Sequence, residues 1–121
     1  MGNTKFLTRA LELASESEHN FKHGAVLVKS KKVLSEGMNK YSKIPVPGIG
    51  SIHAEHSALQ ACNKNKAMIK DSTIYIARQA SYGPAMSKPC PRCLILLKHV
   101  GIKRVFYTTD KCGVIGSMYL K

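Results

Sequence analysis

The chain has 121 residues, of which 44% are hydrophobic, and 19 Lys or Arg against seven Asp or Glu give a net charge of +12. This length predicts a single domain over residues 1–121, and the composition excludes a disordered chain. No apolar run reaches the ~18 residues of a transmembrane helix, and charged residues interrupt the first 20 positions, so we expect a soluble cytoplasmic protein with no membrane partner.

The first elements are predicted to be a helix and a hairpin. Apolar residues near the helical period predict a helix over residues 3–18. Residues 24–28 form a short apolar run rich in β-branched side chains, which predicts a strand. Residues 30–32 are predicted to turn, and a second strand runs from residue 33 towards residue 37. The two strands are predicted to pair in antiparallel fashion.

The middle of the chain is predicted to be a loop followed by a helix. Two prolines and two glycines between residues 42 and 51 predict the loop. Small apolar residues on one helical face predict a helix over residues 52–64, with Ser51 as its N-cap.

The second half alternates strands with a helix. We predict a strand over residues 73–77, a loop over residues 78–89 and a strand over residues 104–108. The helix between them begins at Pro91 and is apolar nearly all round, which predicts burial. The secondary structure of the tail, residues 110–121, is ambiguous from the sequence, and residues 113–115 are a candidate for a short edge strand.

Strands that alternate with helices imply parallel pairing in this half of the chain. The predicted fold class is therefore α/β, a three-layer α/β/α domain with a mixed sheet of four to five strands.

Charge and cysteines indicate the kind of chemistry to look for. The basic excess favours an anionic partner such as nucleic acid or a nucleotide phosphate. Because 15 of the 19 cations are Lys, a lysine surface that only maintains solubility explains the charge equally well. The four cysteines of a cytosolic chain are more typical of metal binding or reactivity than of disulfides.

Two short motifs open the predicted helices. His53-Ala-Glu55 begins the middle helix, and Pro89-Cys-Pro-Arg-Cys93 begins the next one. Together they match the signature His-x-Glu…Pro-Cys-x-x-Cys of zinc-dependent nucleobase deaminases. Zinc accepts neutral imidazole and thiolate ligands, and His53, Cys90 and Cys93 would leave a fourth position for water, as in catalytic sites. Helix N-termini favour both thiolates.

Glu55 is predicted to have a separate role. It follows His53 by two residues, about 200° around an ideal helix, so the two side chains cannot share a lateral face. In the first turn, both can reach over the helix end, with Glu55 near the water rather than the metal. Zinc lowers the pKa of such a water towards 7. A carboxylate can then take its proton and deliver protons to a departing amine, which is hydrolytic deamination.

Three other interpretations of these residues stay open. A redox pair at Cys90 and Cys93 would leave Glu55 without a role. A structural site with Cys62 as fourth ligand would need a side chain about two and a half turns from His53. A lateral metal pair of His53 and His56 would leave both cysteines unexplained.

From about residue 23 to residue 107, the sequence resembles the cytidine deaminase superfamily. The resemblance is carried by the two motifs and by residues 24–28, 37–39 and 101–105, in matching order. It implies the superfamily's five-stranded α/β/α fold and one zinc ion per chain. The short tail is the main departure from the family pattern.

The resemblance also implies roles for individual residues. The zinc ligands fall on His53, Cys90 and Cys93, and the proton shuttle falls on Glu55. Substrate contacts fall on three further positions, namely the Asn39 side chain, the Ala54 backbone N–H and the Lys88 backbone carbonyl. A turn-forming role is the alternative for Asn39.

The substrate implied first is the cytosine base of a nucleoside or nucleotide, converted to uracil with release of ammonia. Cytosine in single-stranded DNA or RNA and adenine in tRNA are alternatives. Another class of function is an inactive, zinc-stabilised RNA-binding module. The resemblance leaves homo-oligomerisation open.

A single-stranded DNA or RNA substrate would require positive charge near the site. Five lysines are expected to lie beside Asn39, with two aromatic side chains available to stack on bases: Lys29, Lys31, Lys32, Lys40 and Lys43, with Tyr41 and Tyr82. A solvated hairpin explains the same lysines.

Overall fold

The chain forms two helices and eight strands in the part that the structure, a computed structural model, describes. That part comprises residues 2–17, 22–46, 49–52, 58, 69–80, 83–89, 91–109, 111 and 114–120. In chain order the elements are α1 (Gly2–Ser15), β1 (Lys22–Lys29), β2 (Lys32–Met38), β3 (Lys40–Val46), β4 (Ile49–Ile52), β5 (Thr73–Ala80), β6 (Gly83–Ala85), α2 (Pro91–His99), β7 (Arg104–Thr108) and β8 (Ile115–Tyr119).

A six-stranded mixed sheet forms the centre of the fold. Its order is β2-β1-β5-β7-β8, and β6 pairs with β5. The pair β5–β7 is parallel, and the other pairs of this sheet are antiparallel. The predicted mixed sheet is therefore confirmed, with β6 as a strand beyond the four or five expected.

The register divides the buried side chains between two faces. Ala25 of β1 lies opposite Ile76 of β5, and Leu27 lies opposite Ile74. All four belong to one core cluster, together with Ala58, Ile69, Leu97, Ile102 and Val105. The intervening residues of the two strands pack against α1 in a second cluster, which contains Val26, Val28, Tyr75 and Ala77 of the strands and Phe6, Leu7, Ala10 and Leu13 of the helix. With α1 covering one face and α2 contributing to the other, the predicted three layers are confirmed.

The helix α1 lies against β1 at a position that only glycine fits. A Cβ atom on Gly24 would overlap the Ala10 carbonyl oxygen and lie 2.9 Å from the Leu13 Cβ atom. Real Cβ atoms do not approach so closely, so any other residue would push the helix away from the sheet.

A row of aromatic rings extends from α1 across the sheet. The Phe6 and Tyr75 ring centroids are 5.1 Å apart, and the Tyr75 and Phe106 rings stack at 5.2 Å. Burial raises the pKa of the Tyr75 hydroxyl.

An ion pair joins α1 to the edge strand β2. The Arg9 Nε atom donates to Glu36 Oε2 at 2.6 Å, and the Arg9 Nη2 atom donates to Glu36 Oε1 at 2.9 Å. This bidentate geometry gives a stronger interaction between a guanidinium and a carboxylate than a single hydrogen bond does. The hydrogen bonds from Arg9 hold the pKa of the Glu36 carboxyl below its ordinary value.

The predicted loop at residues 42–51 is wrong. Lys40–Val46 and Ile49–Ile52 form β3 and β4, a separate two-stranded antiparallel sheet with an irregular register between Tyr41 and Val46. Prolines and glycines interrupt the pairing but do not prevent it, because a two-stranded sheet leaves one edge of each strand unpaired. The predicted helix over 52–64 starts too early, since Ile52 ends β4. Ala58 is helical and buried.

The second half of the chain differs from the prediction in three details. β5 continues to Ala80, and the predicted loop that follows it contains β6. The edge strand of the tail is β8. It begins at Ile115, where the predicted strand ends, and continues for four more residues to Tyr119. Burial of α2 all round is wrong, because Ile95 is 70% exposed while Leu97 is fully buried. A helix that covers one face of a sheet presents its other side to solvent.

Within the described ranges, no helix has both the length and the apolar character needed to cross a membrane.

We predict that Glu36→Gln lowers the melting temperature at pH 7, because it removes the charge that Arg9 binds. A lowered carboxyl pKa contributes stability above its unfolded value of about 4.5, and this contribution disappears as the pH falls through the folded pKa. The two proteins should therefore converge in stability once the pH falls below the folded pKa of Glu36, which thermal unfolding across the acid pH range would reveal.

Glu12→Gln is the matched control, because Glu12 Oε1 lies 3.8 Å from Arg9 Nη1 in a solvent-exposed ion pair. Exposed pairs contribute little to stability. Equal effects of the two substitutions at pH 7 would contradict the role assigned to Glu36.

Candidate functional site

The strand directions bring several chain ends to one edge of the central sheet. The parallel strands β5 and β7 both end there. Because β1 is antiparallel to β5, its first residues lie at the same edge, with His23 opposite Arg78. β2 ends there too, with Met38 opposite Gly24. Ligand sites of α/β proteins commonly lie at the carboxyl ends of parallel strands.

Asn39 is buried at this edge and held by its neighbours. Its side-chain Oδ1 atom accepts a hydrogen bond from the His23 backbone N–H at 2.9 Å. The Ser17 hydroxyl lies 2.8 Å from both Asn39 Oδ1 and the Asn39 carbonyl oxygen. The backbone N–H of Asn39 also donates to the His23 carbonyl at 3.1 Å. The Asn39 side chain thus ties the end of β2 to β1 and to the chain following α1.

The small sheet brings the residue that precedes the first motif close to Asn39. In the pairing of β3 with β4, Lys40 lies opposite Ile52. Lys40 directly follows Asn39, and Ile52 directly precedes His53. The chain therefore enters the His-Ala-Glu motif from a position beside the Asn39 backbone.

A hydrogen-bonded clasp, formed by Ser87 and Thr108, fixes the approach to the second motif. The Ser87 hydroxyl donates to the Ile76 carbonyl at 2.9 Å and accepts from the Thr108 N–H at 2.8 Å. The Thr108 hydroxyl donates to the Ala85 carbonyl at 2.6 Å and accepts from the Arg78 N–H at 3.1 Å. The clasp joins the ends of β5 and β7 to the segment that follows β6.

The second motif begins a helix directly after this clasp. Pro91 is the first residue of α2, where its lack of an N–H costs nothing. Cys93 lies in the first turn and is 8% exposed. A thiolate there is favoured by the partial positive charge of the helix N-terminus, so the donor chemistry suits a thiophilic metal such as zinc.

Of the predicted site residues, the structure describes Asn39, Lys88 and Cys93. Asn39 and Cys93 are buried, and the Lys88 side chain is exposed. His53, Ala54, Glu55 and Cys90 lie outside the described residues. Within the described part of the chain there is no cluster of three His, Cys, Asp or Glu side chains, and of the three predicted ligands only Cys93 belongs to that part.

The expectation that the lysines cluster beside Asn39 is wrong for three of them. Lys29, Lys31 and Lys32 lie at the turn between β1 and β2, whereas Asn39 follows the other end of β2. At about 3.3 Å per residue, the length of β2 separates the two by roughly 20 Å. Only Lys40, of the five, is placed next to Asn39 by the sequence.

Sequence reasoning missed Ser17, Ser87 and Thr108. Their hydroxyls bond backbone atoms of distant strands, and no spacing in the sequence signals such contacts. The nearest signal was the position of Ser87 just before the Lys-Pro-Cys segment.

We predict that Thr108→Val destabilises the protein by about 1–3 kcal/mol, because it leaves the part-buried Arg78 N–H and the carbonyl of the buried Ala85 without their hydroxyl partner. Valine has nearly the shape of threonine, so packing should be conserved. Chemical denaturation would measure the loss, and faster amide exchange at Ser87 would locate it.

The matched control is Thr109→Val. The Thr109 hydroxyl makes exposed hydrogen bonds with the Lys111 and Val114 carbonyls, so its loss should cost much less. Comparable destabilisation by both variants would contradict a specific role for the clasp.

The fold is similar to that of several solved deaminases. The chain is similar to the apo dCMP deaminase of cyanophage S-TIM5, with 23% identity over 93% of this chain and 86% of that one, and a TM-score of 0.68. It is similar to the cytidine deaminase of Burkholderia pseudomallei, with 20% identity over 99% and 94% of the two chains and a TM-score of 0.75. It is also similar to the guanine deaminase of Bacillus subtilis, with 27% identity over 91% and 66% and a TM-score of 0.64.

No curated protein matches the chain significantly. The family model for the cytidine and deoxycytidylate deaminase zinc-binding region matches residues 2–109, from α1 to the end of β7. The match thus includes both motifs and the elements that form the shared sheet edge. The chain therefore belongs to the cytidine and deoxycytidylate deaminase family.

Proposed function

We propose that the protein is a zinc-dependent hydrolytic deaminase that converts the cytosine base of a nucleoside or nucleotide to uracil with release of ammonia. The observation that supports this proposal is the position of the described residues that flank the two motifs, Ile52 beside Lys40 and Pro91 beyond the clasp. The first motif follows β4 beside Asn39, and the second begins α2 beyond the clasp.

The zinc ion would be held by His53, Cys90 and Cys93. The burial of Cys93 in the first turn of α2 supports this ligand set, and the family's description as a zinc-binding region supports the metal. When bound, zinc lowers the pKa of a coordinated water towards neutrality.

Glu55 would take a proton from the attacking water and then deliver protons to the departing amino group. Water adds to the ring carbon that carries the amino group, the carbon–nitrogen bond breaks, and ammonia leaves. A carboxylate in this role contributes through general acid–base catalysis.

Three further groups would orient the base and sugar. Asn39 is suited to this task because its amide is held in one orientation by the His23 N–H and the Ser17 hydroxyl. A fixed polar group binds its ligand with little loss of side-chain entropy. The Ala54 N–H and the Lys88 carbonyl would contact the base carbonyl and the departing amine.

The position of the lysines favours a free nucleoside or nucleotide over a nucleic-acid strand. Lys29, Lys31 and Lys32 lie far from the edge that carries Asn39, so they provide no positive surface beside the proposed site. The cyanophage dCMP deaminase, a relative by fold, has also been solved in complex with dCMP and dUMP. Adenine in tRNA and an inactive zinc-stabilised RNA-binding module are the competing functions.

We predict that Glu55→Gln lowers kcat by a factor of about 10²–10⁴ while zinc content is unchanged, since glutamine cannot transfer the proton. Metal analysis and ammonia release would measure both quantities. Glu16→Gln, the same chemical change at an exposed position just after α1, is the control and should retain activity. Loss of zinc together with activity would assign Glu55 to metal binding instead.

We predict turnover of cytidine or deoxycytidylate by the zinc-loaded protein, and little turnover of single-stranded DNA or tRNA. Ammonia release and base conversion would be measured for all four at several salt concentrations. Activity confined to a polynucleotide, with steep loss of binding as the salt concentration rises, would favour a nucleic-acid strand as the substrate. Inertness of the zinc-loaded wild type towards all four would favour the binding module.

A further inference from the structure

The strand β8 forms an open edge of the central sheet. Among the described residues it pairs with β7 alone, so one side of its backbone has no strand neighbour there. The backbone N–H of Leu120 donates to the carbonyl of Lys103, the residue opposite it, at 2.9 Å. The pairing with β7 has no irregularity, so the N–H and C=O groups of Ile115, Ser117 and Tyr119 point away from β7.

β8 lacks the features that usually block such an edge. Charged side chains, prolines and bulges keep edge strands from pairing with other chains. The other edge strand, β2, carries Lys32 and Glu36, and its pairing with β1 is irregular. The sequence of β8, Ile-Gly-Ser-Met-Tyr, has no charge and no proline. The edge at β8 is therefore suited to accept a further strand.

The exposed side chains of β8 share one face of the sheet. Met118 and Leu120 pack against the core cluster that contains Leu97 of α2. Because side chains alternate along a strand, Ile115 and Tyr119 lie on the opposite face, the side that carries α1. Ile115 is 42% exposed and Tyr119 is 56% exposed. An added strand would thus cover apolar surface as well as backbone groups.

Positive charge flanks this edge at both ends. Lys111 is exposed and precedes the strand, and Arg104 lies opposite Tyr119 at the other end. The Arg104 guanidinium lies 5.8 Å from the Phe106 ring centroid and 5.7 Å from the Tyr119 ring centroid, which holds the cation beside the strand. From residue 103 to residue 121, the sequence has four Lys or Arg and one Asp. A partner strand with acidic ends would complement this charge.

The same charges disfavour a second copy of the chain as the occupant. Two β8 strands paired antiparallel about a two-fold axis would place the Lys111 end of each beside the Arg104 end of the other. Each copy also carries a net charge of +12. Bringing like charges together costs free energy, and a strand of five residues provides only a small interface to offset that cost.

We propose that β8 binds an extended segment of a partner protein by strand addition, and that this segment has apolar residues in its middle and Asp or Glu at both ends. Its backbone pairs with Ile115, Ser117 and Tyr119. Its apolar side chains cover those of Ile115 and Tyr119, and its terminal carboxylates meet Arg104 and Lys111. No step of the proposed deamination uses these residues, so the inference does not depend on that activity.

The test is a titration of the ¹⁵N-labelled protein with the peptide acetyl-Glu-Glu-Val-Thr-Val-Thr-Val-Glu-Glu-amide. We expect saturable shifts of the β8 amides and slower hydrogen exchange at Ser117 and Tyr119, whose N–H groups would gain acceptors. The matched peptide with Gln in place of each Glu should bind about tenfold more weakly, the effect of two exposed ion pairs at about threefold each. A higher salt concentration should weaken binding of the acidic peptide only.

Substitutions at Ser117 separate the backbone from the side chain. Ser117→Pro removes one outward N–H, which an edge strand tolerates, and thermal unfolding would confirm that the fold is retained. It should weaken peptide binding by about tenfold or more, because a carbonyl of the peptide loses its donor. Ser117→Ala is the matched control, since it keeps the N–H, and it should bind the peptide normally.

Substitutions of the flanking cations test the charge. Arg104→Gln and Lys111→Gln should each weaken binding of the acidic peptide about threefold. Arg104→Lys keeps the charge and should retain most of the affinity. Lys98→Gln, at an exposed position of α2, is the control for net charge and should leave the affinity unchanged.

Three results would overturn the proposal. Shifts confined to residues outside β8, or no shifts at millimolar peptide, would exclude strand addition at this edge. Equal affinity for the Glu and Gln peptides, or equal weakening by Arg104→Gln and Lys98→Gln, would exclude recognition of acidic ends. A dimer in sedimentation, with the β8 amides protected before any peptide is added, would show that a second copy occupies the edge.

Discussion

The position of β1 is the constraint on which the rest of the structure depends. This strand is hydrogen-bonded on both sides, to β2 and to β5, and its side chains enter both core clusters. At Gly24 the absence of a side chain lets α1 approach the strand directly. A change of register by one residue would exchange the two clusters, so the hydrophobic pattern of β1 fixes the pairing of its neighbours.

The two ends of β1 serve different purposes because of this pairing. At its start, the His23 backbone donates a hydrogen bond to Asn39, and the next residue, Lys40, lies opposite Ile52 at the end of β4. At its end, the turn formed by Ser30 and Lys31 lies beside a surface cavity that Phe6 and Tyr75 also line. Between the two ends, residues 24–28 of β1 are buried, so the core separates the two surfaces. A small domain can thus present two polar surfaces supported by one apolar centre.

The hydrophobic pattern predicted most of the sheet, and local chemistry explains the exceptions. Continuous apolar runs, as in residues 24–28, are visible in the sequence because both faces of this strand are buried. The β3–β4 pair was missed because its prolines and glycines are also typical of loops. The two motifs identified the proposed ligands, since their residue types are rare elsewhere. The clasp of Ser87 with Thr108 could not be predicted, because hydroxyl groups bonded to distant backbone atoms leave no periodic pattern.

The pairing of β1 with β5 also has a kinetic consequence. It joins residues 22–28 to residues 73–79, and the intervening chain contains both β3–β4 and the His-Ala-Glu motif. Closing such a long loop lowers chain entropy before any contact compensates for it, so non-local strand pairs form slowly. The edge that gathers Asn39, the clasp and α2 exists only after this closure. A partly folded chain with the local β1–β2 hairpin in place would therefore lack the site altogether, and its activity would report complete folding.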